Sequence, residues 1–271
     1  MWNPDVYGSF AAERSAPFED LLALVRVRPN LRVIDLGCGT GELTARLSDA
    51  LPGAEVLGID ASGEMLERAS ALERPGLRFE RMRIEDVAGS FDLIASNAAL
   101  QWVDDHARRI PALFALLRPE GQLVVQMPAW RRPAAYGAIV ETARSEPHCS
   151  ALGGFEQQWP VLPIEDYAEM LAACGATELI ALDKVYPHVL RDADALADWQ
   201  SGTALLPYRE RLGPHEYAGF EAAVRSRLRA RWPGSPVFFP FRRTLLAATH
   251  PGAESATPRP VLASGRTAGS T

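Results

Sequence analysis

The chain has 271 residues, of which 47% are hydrophobic and 23% are charged, and its formal net charge is −6 at pH 7. This length suits one large α/β domain with an elaboration and is too short for two full-sized enzymes, because single domains usually contain about 100–200 residues. The acidic balance, with arginines spread among acidic residues, offers no basic surface, so we expect no nucleic-acid partner.

The cysteines and the lack of long apolar segments bear on the compartment. Cys38, Cys149 and Cys174 lack paired spacing, no charged leader with an apolar core opens the chain, and no stretch approaches a membrane span. We therefore expect a cytoplasmic protein without a membrane partner. His148 and Cys149 are adjacent, but no further ligands stand at metal-site spacing, so we expect no metal.

In the first half of the chain, short apolar runs alternate with segments of helical periodicity. The predicted strands are Arg32–Leu36, Val56–Asp60, Leu77–Phe79, Phe91–Ser96 and Gln122–Met127. The predicted helices are Glu42–Ala50, Glu64–Leu72 and Ala107–Leu117. This alternation predicts an α/β fold, with a parallel sheet covered by helices on both faces.

The second half has a less regular pattern. Arg118-Pro119-Glu120-Gly121 is predicted to end the third helix and to turn the chain into the fifth strand. The segment from Pro128 to Pro163 shows no steady period and is interpreted as an insertion over the rim of the sheet. The later predicted elements are a helix over Ile164–Ala173, strands over Thr177–Leu190 and Val237–Thr249, and helices over Asp192–Thr203 and His215–Arg231.

The first predicted strand runs into a glycine-rich turn at the start of a helix. Gly37, Gly39 and Gly41 permit backbone conformations that are closed to other residues, and they let a ligand lie directly against the main chain. The free N–H groups of the helix that begins at Glu42 would face this ligand. The turn therefore predicts a small-molecule site at the carboxyl ends of the strands.

The spacing of these glycines excludes the dinucleotide fingerprint G-x-G-x-x-G. Its third glycine would fall at Glu42 or at Thr44. Carboxylates instead end the first two strands, at Asp35 and at Asp60. The second of these is placed to accept hydrogen bonds from two ribose hydroxyls. The predicted ligand is a nucleoside with a cationic or zwitterionic appendage.

The turn resembles the first motif of the class I S-adenosylmethionine-dependent methyltransferases, which is matched by Asp35-Leu36-Gly37-Cys38-Gly39-Thr40-Gly41. Further segments, spread over roughly residues 2–248, resemble the trans-aconitate 2-methyltransferase family. These segments are Trp2-Asn3-Pro4-x-x-Tyr7-x-x-Phe10-x-x-Glu13-Arg14-Ser15-x-Pro17, Asn97-Ala98-Ala99-Leu100-Gln101-Trp102, Gln126-Met127-Pro128, Tyr186-x-His188, the stretch from Trp199 to Tyr208, and Phe241-Arg242-Arg243. The resemblance implies a Rossmann-like class I methyltransferase fold, with a mostly parallel seven-stranded sheet and a helical cap.

Pattern and resemblance together divide the chain into five expected parts. These are N-terminal lid helices over 1–30, an S-adenosylmethionine-binding core over 31–128, a cap and substrate region with a late strand over 129–236, a final antiparallel strand over 237–249, and a disordered tail over 250–271. The tail is expected to be disordered because it consists mainly of small and polar residues without a core-forming pattern.

The resemblance implies S-adenosyl-L-methionine as the cofactor, and it implies methyl transfer to a carboxylate of trans-aconitate or a related tricarboxylic acid. Such a carboxylate is already ionised at neutral pH, given an ordinary pKa near about 4, so no general base is required. A catalytic role for His106, near the same rim, is therefore not expected. The residues predicted to bind the cofactor are Asp35, Gly37, Cys38, Gly39, Gly41, Asp60, Ala61, Met65, Arg83, Ile84 and Asn97.

Two stretches depart from the family pattern. Many relatives carry an acidic residue for the adenine amino group where this chain has Arg83, and a guanidinium cannot accept that hydrogen bond. Backbone groups of Arg83 and Ile84, or the side chain of Glu85, would have to replace it. The second departure, over Ala129–Ala135, bears on the identity of the acceptor.

Recognition of a tricarboxylate calls for arginine, whose planar fork suits carboxylates. Arg243 is the first candidate and Arg14 the second. The alternative for Arg242 and Arg243 is a solvated strand end, and the alternative for Arg14 is to hold the N-terminal segment in place. Tyr186 and His188 would point to one face of a strand and contact the substrate, with a core tyrosine and a surface histidine as the alternative.

Aromatic residues at the N-terminus and after the fourth strand complete the predicted substrate site. Trp2, Tyr7 and Phe10 are predicted to form a lid that excludes water, and packing on the flank of the sheet is the alternative. Gln101 and Trp102 are predicted to shape the acceptor pocket, and ordinary burial of Trp102 is the alternative.

Other functions remain open on sequence alone. The chain could methylate another small metabolite at a hydroxyl or a different carboxylate, or it could be a non-catalytic S-adenosylmethionine-binding module. The expected partner is a small polycarboxylate substrate, and the expected assembly is a monomer or a weak homo-oligomer.

Overall fold

The computed structural model describes residues 11–130 and 134–252, and for residues 11–15 it describes the backbone alone. The predictions for Trp2, Tyr7 and Phe10 therefore lie outside the described residues, as does the side chain of Arg14. The predicted tail lies outside them from residue 253 onward. In the described ranges, no helix is both long and apolar enough to cross a membrane.

Helices and strands follow one another in α/β order. The helices are α1 (Ala11–Ala23), α2 (Glu42–Asp49), α3 (Gly63–Ala69), α4 (His106–Phe114), α5 (Ala134–Ala143), α6 (His148–Ala151), α7 (Ile164–Ala173), α8 (Ala193–Ser201), α9 (Leu206–Arg209) and α10 (Pro214–Arg231). The strands are β1 (Arg32–Leu36), β2 (Glu55–Asp60), β3 (Leu77–Arg81), β4 (Phe91–Asn97), β5 (Leu117–Pro128), β6 (Thr177–Leu190) and β7 (Val237–Thr249). Short 3₁₀ turns lie at Ser70–Leu72, Ile84–Asp86 and Leu100–Trp102.

The seven strands found in the described residues form one sheet in the order β3-β2-β1-β4-β5-β7-β6. Strands β1 to β5 pair in parallel, whereas β7 is antiparallel to both of its neighbours. The strand order reverses between β1 and β4, and a reversal of this kind leaves a crevice at the carboxyl ends of the strands. The predicted mostly parallel seven-stranded sheet is confirmed.

Each face of the sheet is buried under its own apolar cluster. Helices α1 and α2 cover one face with Phe18 and Leu47, and helices α4 and α7 cover the other with Ile110 and Leu171. We call the first of these the α1 face; the strand residues that point to it include Val33, Ala95, Val124 and Ala247. Side chains alternate along a strand, so residues two positions further along point to the same face.

The cap has a core of its own. Strand β5 ends at Pro128, opposite Arg243, but β6 and β7 continue together past that point to the pair Leu190 and Val237. Helices α5, α8, α9 and α10 pack on this extension through a third apolar cluster. The extension therefore carries the cap beyond the rim of the sheet.

One prediction about the middle of the chain is wrong. Helix α4 ends at Phe114, and Arg118-Pro119-Glu120-Gly121 lies inside β5 instead of preceding it. Leu117 already pairs with Phe91 before these residues, and the register with β4 shifts across them. Glu120 adopts a positive φ of 62°. The proline and glycine thus mark an irregularity within a strand and not a boundary.

The segment from Pro128 to Pro163, whose sequence shows no steady period, contains helices α5 and α6. Most of α5 is buried, including Tyr136 and Ile139. A helix that is apolar nearly all round has no amphipathic period, which is why the sequence pattern does not identify it.

Candidate active site

The glycine turn joins the tips of β1 and β2. The backbone amides of Gly37 and Cys38 both donate to the carbonyl oxygen of Ile59, at 2.8 and 2.9 Å. Gly37, Gly39 and Gly41 have φ values of 75°, 56° and 79°. All three values lie in the left-handed region, where a side chain is costly. The turn therefore depends on glycine at each of these positions.

The three glycines differ in what surrounds them. A Cβ added to Gly37 would lie 2.2 Å from Cβ of Ala99, and one added to Gly41 would lie 2.7 Å from the ring of Phe79. A Cβ added to Gly39 would meet no atom within 4 Å. Packing thus explains Gly37 and Gly41, whereas Gly39 borders open space that a ligand can fill.

Asp60 is held in a fixed orientation at the tip of β2. Its two oxygens accept hydrogen bonds from the amides of Gly39 and Ser62, each at 2.9 Å. Ser62 also caps α3 by accepting from the amide of Met65 at 3.3 Å, and the carbonyl of Ala61 accepts from Arg81 at 3.1 Å. Each carboxylate oxygen can accept a further hydrogen bond, so Asp60 remains able to bind a pair of hydroxyl groups.

Asp35 is a buried carboxyl group below the turn. Its Oδ2 accepts a hydrogen bond from the hydroxyl of Thr44 at 2.6 Å. Burial raises the pKa of Asp35 to about 6, although the bond from Thr44 acts in the opposite direction. Burial also raises the pKa of the nearby Cys38 thiol. A cation bound nearby would favour the ionised form of Asp35.

The position expected to recognise adenine is open to solvent. The side chain of Arg83 is 66% exposed, and its guanidinium pairs with Glu85 at 3.3 Å. The carbonyl of Arg83 accepts from the amide of Asp86 at 3.1 Å within the 3₁₀ turn that starts at Ile84. The backbone of Arg83 and Ile84 therefore lies beside the tip of β3, while the arginine side chain points to solvent.

The tip of β4 carries amide groups with unused hydrogen-bonding capacity. Within the described residues, the buried Oδ1 of Asn97 and Oε1 of Gln101 have no hydrogen-bond partner. The Nε2 of Gln101 donates to the carbonyl of Ala98 at 2.6 Å, and the amide of Ala98 donates to the carbonyl of Gln126 at 2.8 Å.

Trp102 is 47% exposed, so its alternative interpretation as an ordinary buried residue is wrong.

His106 has a structural role between β4 and the helix α7. Its Nε2 lies 2.9 Å from the carbonyl of Leu100, and its Nδ1 is bonded to the hydroxyl of Tyr167. That hydroxyl accepts from the amide of Leu162 at 3.0 Å. Burial lowers the pKa of His106. A neutral ring that donates from Nε2 and accepts at Nδ1 satisfies both contacts and leaves no nitrogen for catalysis.

Arg243 lies on the α1 face of β7, opposite Pro128 at the end of β5. It is 8% exposed, and its guanidinium carbon lies 4.2 Å from the centre of the Phe241 ring. Its neighbour Arg242 points the other way and lies 3.7 Å from Asp183 at the surface. The alternative of a solvated strand end is therefore wrong for Arg243 and right for Arg242.

Tyr186 contacts a residue that the sequence did not single out. Its hydroxyl donates to Asp20 of α1, and the same carboxylate accepts from Lys184 at 2.6 Å. Burial acts to raise the pKa of Asp20, but the two hydrogen bonds outweigh it and the pKa is lowered. Burial, followed by Asp20, raises the pKa of Tyr186. The tyrosine thus joins α1 to β6.

Helix α1 also contacts the side of the site that contains the glycine turn. We call this side, with Asp60 and Asn97, the cofactor half, and the side at β7, with Arg243, the acceptor half. Glu19, adjacent to Asp20, forms an ion pair with Arg46 of α2, and this arginine lies 5.1 Å from the centre of the Phe18 ring. Consecutive acidic residues therefore fasten α1 to the helix that follows the glycine turn and to the strand that carries Tyr186.

His188 belongs to an aromatic cluster at the base of the cap. Its ring centre lies 4.9 Å from that of Trp199, 6.4 Å from that of Phe239 and 6.2 Å from that of Phe241. The side chain is buried, so its alternative interpretation as a surface histidine is wrong.

Gln126 and Asp20 are not among the predicted site residues, although Gln126 lies in a segment that resembles the family. Gln126 is fully buried on the α1 face of β5, and a glutamine within a run of apolar strand residues is a usable signal that it has a special role. Asp20 carries no such signal, because its partner Tyr186 lies 166 positions away in the chain.

The predicted site residues fall into two groups along one rim. The glycine turn and Asp60 lie at β1 and β2, Asn97 at β4, and Arg243 at β7, with β5 between the last two. This arrangement can bind a nucleoside at one end and an anion at the other. Within the described residues, no group of three or more His, Cys, Asp or Glu side chains is placed to hold a metal ion.

Comparison with known sequences gives matches along nearly the whole chain. A family described as a methyltransferase domain matches residues 28–169. The trans-aconitate 2-methyltransferase of Deinococcus radiodurans is 46% identical, with 92% of this chain and 98% of the relative covered. The enzyme of the same name from Mycobacterium tuberculosis is 34% identical, with 93% of this chain and 98% of the relative covered.

Comparison with solved structures supports the fold. The YcgJ protein of Bacillus subtilis superposes with a TM-score of 0.59 at 16% identity, over 88% of this chain and 99% of that protein. Phosphoethanolamine N-methyltransferase 2 of Haemonchus contortus, solved with S-adenosyl-L-methionine, superposes with a TM-score of 0.53 at 14% identity, over 88% of this chain and 52% of that protein.

Alanine substitution should distinguish Gly37, which packs closely against Ala99, from Gly39, which borders the open space that a ligand can fill. Gly39→Ala should cost about 1–2 kcal/mol of stability, from the left-handed backbone alone, and should weaken S-adenosylhomocysteine binding by about tenfold or more. Gly37→Ala should cost a further 1–3 kcal/mol or so, because its Cβ overlaps Ala99. Denaturant unfolding and calorimetric titration measure the two effects, and equal stability losses in the two variants would contradict this assignment.

The raised pKa of Asp35 predicts a pH-dependent effect of Asp35→Asn in the ligand-free protein. Above pH 6 the folded wild type bears the cost of a buried charge, whereas near pH 4 the carboxyl is largely protonated in the folded state and the cost is small. The stability of the variant relative to wild type should therefore rise by about 2–3 kcal/mol between pH 4 and pH 8. Urea unfolding at several pH values measures this, and a constant difference would show that Asp35 ionises normally.

Proposed function

Since this chain belongs to the trans-aconitate 2-methyltransferase family of the methyltransferases, we propose that it transfers the methyl group of S-adenosyl-L-methionine to a carboxylate of trans-aconitate or a closely related tricarboxylic acid. The products are a monomethyl ester and S-adenosylhomocysteine. The observation that carries the proposal is the 46% identity to a relative of that name over nearly the full length of both chains. That length includes both the sheet and the cap.

The residues at β1 and β2 suit the nucleoside part of this cofactor. Asp60 is oriented by two amides and retains acceptor capacity for the ribose hydroxyls. The open space at Gly39 allows close approach to the main chain. Asp35 provides a buried carboxyl that a nearby positive charge would keep ionised. When bound, S-adenosyl-L-methionine supplies an electrophilic methyl group on a positively charged sulfur.

The chain's own contribution to methyl transfer is to bind, orient and dehydrate the acceptor. The acceptor carboxylate is ionised at neutral pH and attacks without a general base. This agrees with the structural role of His106, whose two ring nitrogens both have hydrogen-bond partners. Arg243 is the proposed partner for one carboxylate of the substrate, because a buried guanidinium at the rim can form paired hydrogen bonds with it. Proximity and orientation then supply most of the rate.

We assign the remaining predicted residues to the enclosure of this site. Trp2, Tyr7 and Arg14 would act in the lid over 1–30. Gln101 and Trp102 would border the acceptor near β4, and Tyr186 and His188 would support it from β6. The region 129–236 would form the cap over the core of 31–128. In this proposal the partner is a small polycarboxylate, the protein acts as a monomer or weak homo-oligomer in the cytoplasm, and it binds no nucleic acid.

The direct test is a transfer assay with methyl-labelled S-adenosyl-L-methionine against trans-aconitate, cis-aconitate, isocitrate and citrate. We expect base-labile label with trans-aconitate as the best acceptor, since an ester hydrolyses in base and an ether does not. Cofactor binding without transfer to any of the four acids would overturn the proposal. It would then favour another acceptor or a non-catalytic binding module.

Two adjacent arginines provide a matched test of acceptor binding. Arg243→Gln should raise the KM for trans-aconitate about 10- to 100-fold, since a hydrogen bond to a charged group is worth about 1.5–3 kcal/mol. Arg242→Gln changes an exposed residue on the opposite face and should leave KM within about twofold. S-adenosylhomocysteine affinity, measured for both variants, shows whether the cofactor half remains intact. Equal KM values would contradict the role of Arg243.

A further inference from the structure

Gln126 has a buried side chain whose hydrogen-bonding groups are unused. It is fully buried on β5, and within the described residues neither its Nε2 nor its Oε1 has a hydrogen-bond partner. Burial without partners is costly for an amide, and native proteins satisfy most such groups. An amide left in this state therefore points to a ligand that satisfies it.

Gln122, on the same strand and the same face, shows what a structural glutamine does in this sheet. It is also buried, but its Oε1 accepts from the amide of Arg26 at 3.0 Å and its Nε2 donates to the carbonyl of Leu24 at 2.9 Å. These bonds fasten the chain after α1 to β5. Gln126 lies four residues nearer the rim and makes no equivalent contact.

The register of the sheet places Gln126 between the two halves of the site. It lies opposite Asn97 of β4 on one side and Leu245 of β7 on the other. Arg243 lies two positions from Leu245 on the same face. A group held by Gln126 would therefore lie between the cofactor half, marked by Asn97, and the proposed carboxylate partner Arg243.

We propose that Gln126 binds the acceptor carboxylate, with its Nε2 donating a hydrogen bond to one carboxylate oxygen so that the other oxygen is directed towards the methyl group. This assignment rests on the proposed function. A neutral amide suits this position. It donates a hydrogen bond to the substrate carboxylate, and it places no buried charge beside the uncharged ester that is formed.

The test compares Gln126→Met with Gln122→Met in the full-length protein. Both changes replace a buried amide by an apolar chain of similar size. Gln126→Met should raise the KM for trans-aconitate about 10- to 100-fold, with S-adenosylhomocysteine affinity unchanged and with resistance to urea equal to or above that of wild type. Gln122→Met should show the reverse pattern, with a lower urea midpoint and a KM within about twofold of wild type.

A third variant tests whether Gln126 acts as a hydrogen-bond donor or as an acceptor. Gln126→Glu keeps an acceptor oxygen but replaces the N–H donor by a group that is negative when ionised, so at pH 8 its KM should exceed that of Gln126→Met. Its activity relative to wild type should recover as the pH falls to 5.5, because a protonated carboxyl donates a hydrogen bond. Gln126→Met should show no such recovery.

Three outcomes would count against the assignment. An active wild type with an unchanged KM in Gln126→Met would overturn the role of Gln126 and leave the proposed function standing. A lower urea midpoint in Gln126→Met, like that of Gln122→Met, would show a structural amide. If the wild type forms no ester with any of the four acids, the proposed function fails and the assignment fails with it.

Discussion

The two hydrogen bonds that Gly37 and Cys38 donate to the carbonyl of Ile59 hold together the parts on which the site depends. They join the tips of two parallel strands, and they require a left-handed turn that glycine alone forms at low cost. With the turn fixed, Gly39 is able to donate to Asp60, which sets the orientation of that carboxylate. The same turn starts α2, whose Thr44 bonds to Asp35. One local constraint therefore orients both carboxylates of the cofactor half.

The acceptor half depends on a different kind of order. No short motif creates it, because Arg243, Gln126 and Tyr186 come from strands that are far apart in sequence and are brought together by their register. The long extension of β6 and β7 then supports a cap with its own apolar core. Conformational demands within a few residues define the cofactor half, and the pairing of three distant strands defines the acceptor half.

This difference explains how much could be predicted from the sequence. The strands, the glycine turn and Asp60 follow from local periodicity and spacing, and the late strands at Thr177–Leu190 and Val237–Thr249 were also predicted with the bounds observed. The partnership of Asp20 with Tyr186 could not be predicted, because it depends on where α1 crosses the sheet. Burial of His188 likewise depends on the packing of the cap around Trp199, which leaves no period in the sequence.

Helix α1 has contacts with both halves of the site. Glu19 holds Arg46 beyond the glycine turn, and Asp20 holds Tyr186 and Lys184 on the acceptor side. The two ion pairs are partly exposed and weak by themselves, whereas the hydroxyl of Tyr186 bonds to Asp20 from a buried side chain. Because the two carboxylates are consecutive on one helix, moving α1 away from the sheet would disturb the contacts on both sides. Helix α1 thus links the two halves of the rim by a route that lies outside the sheet.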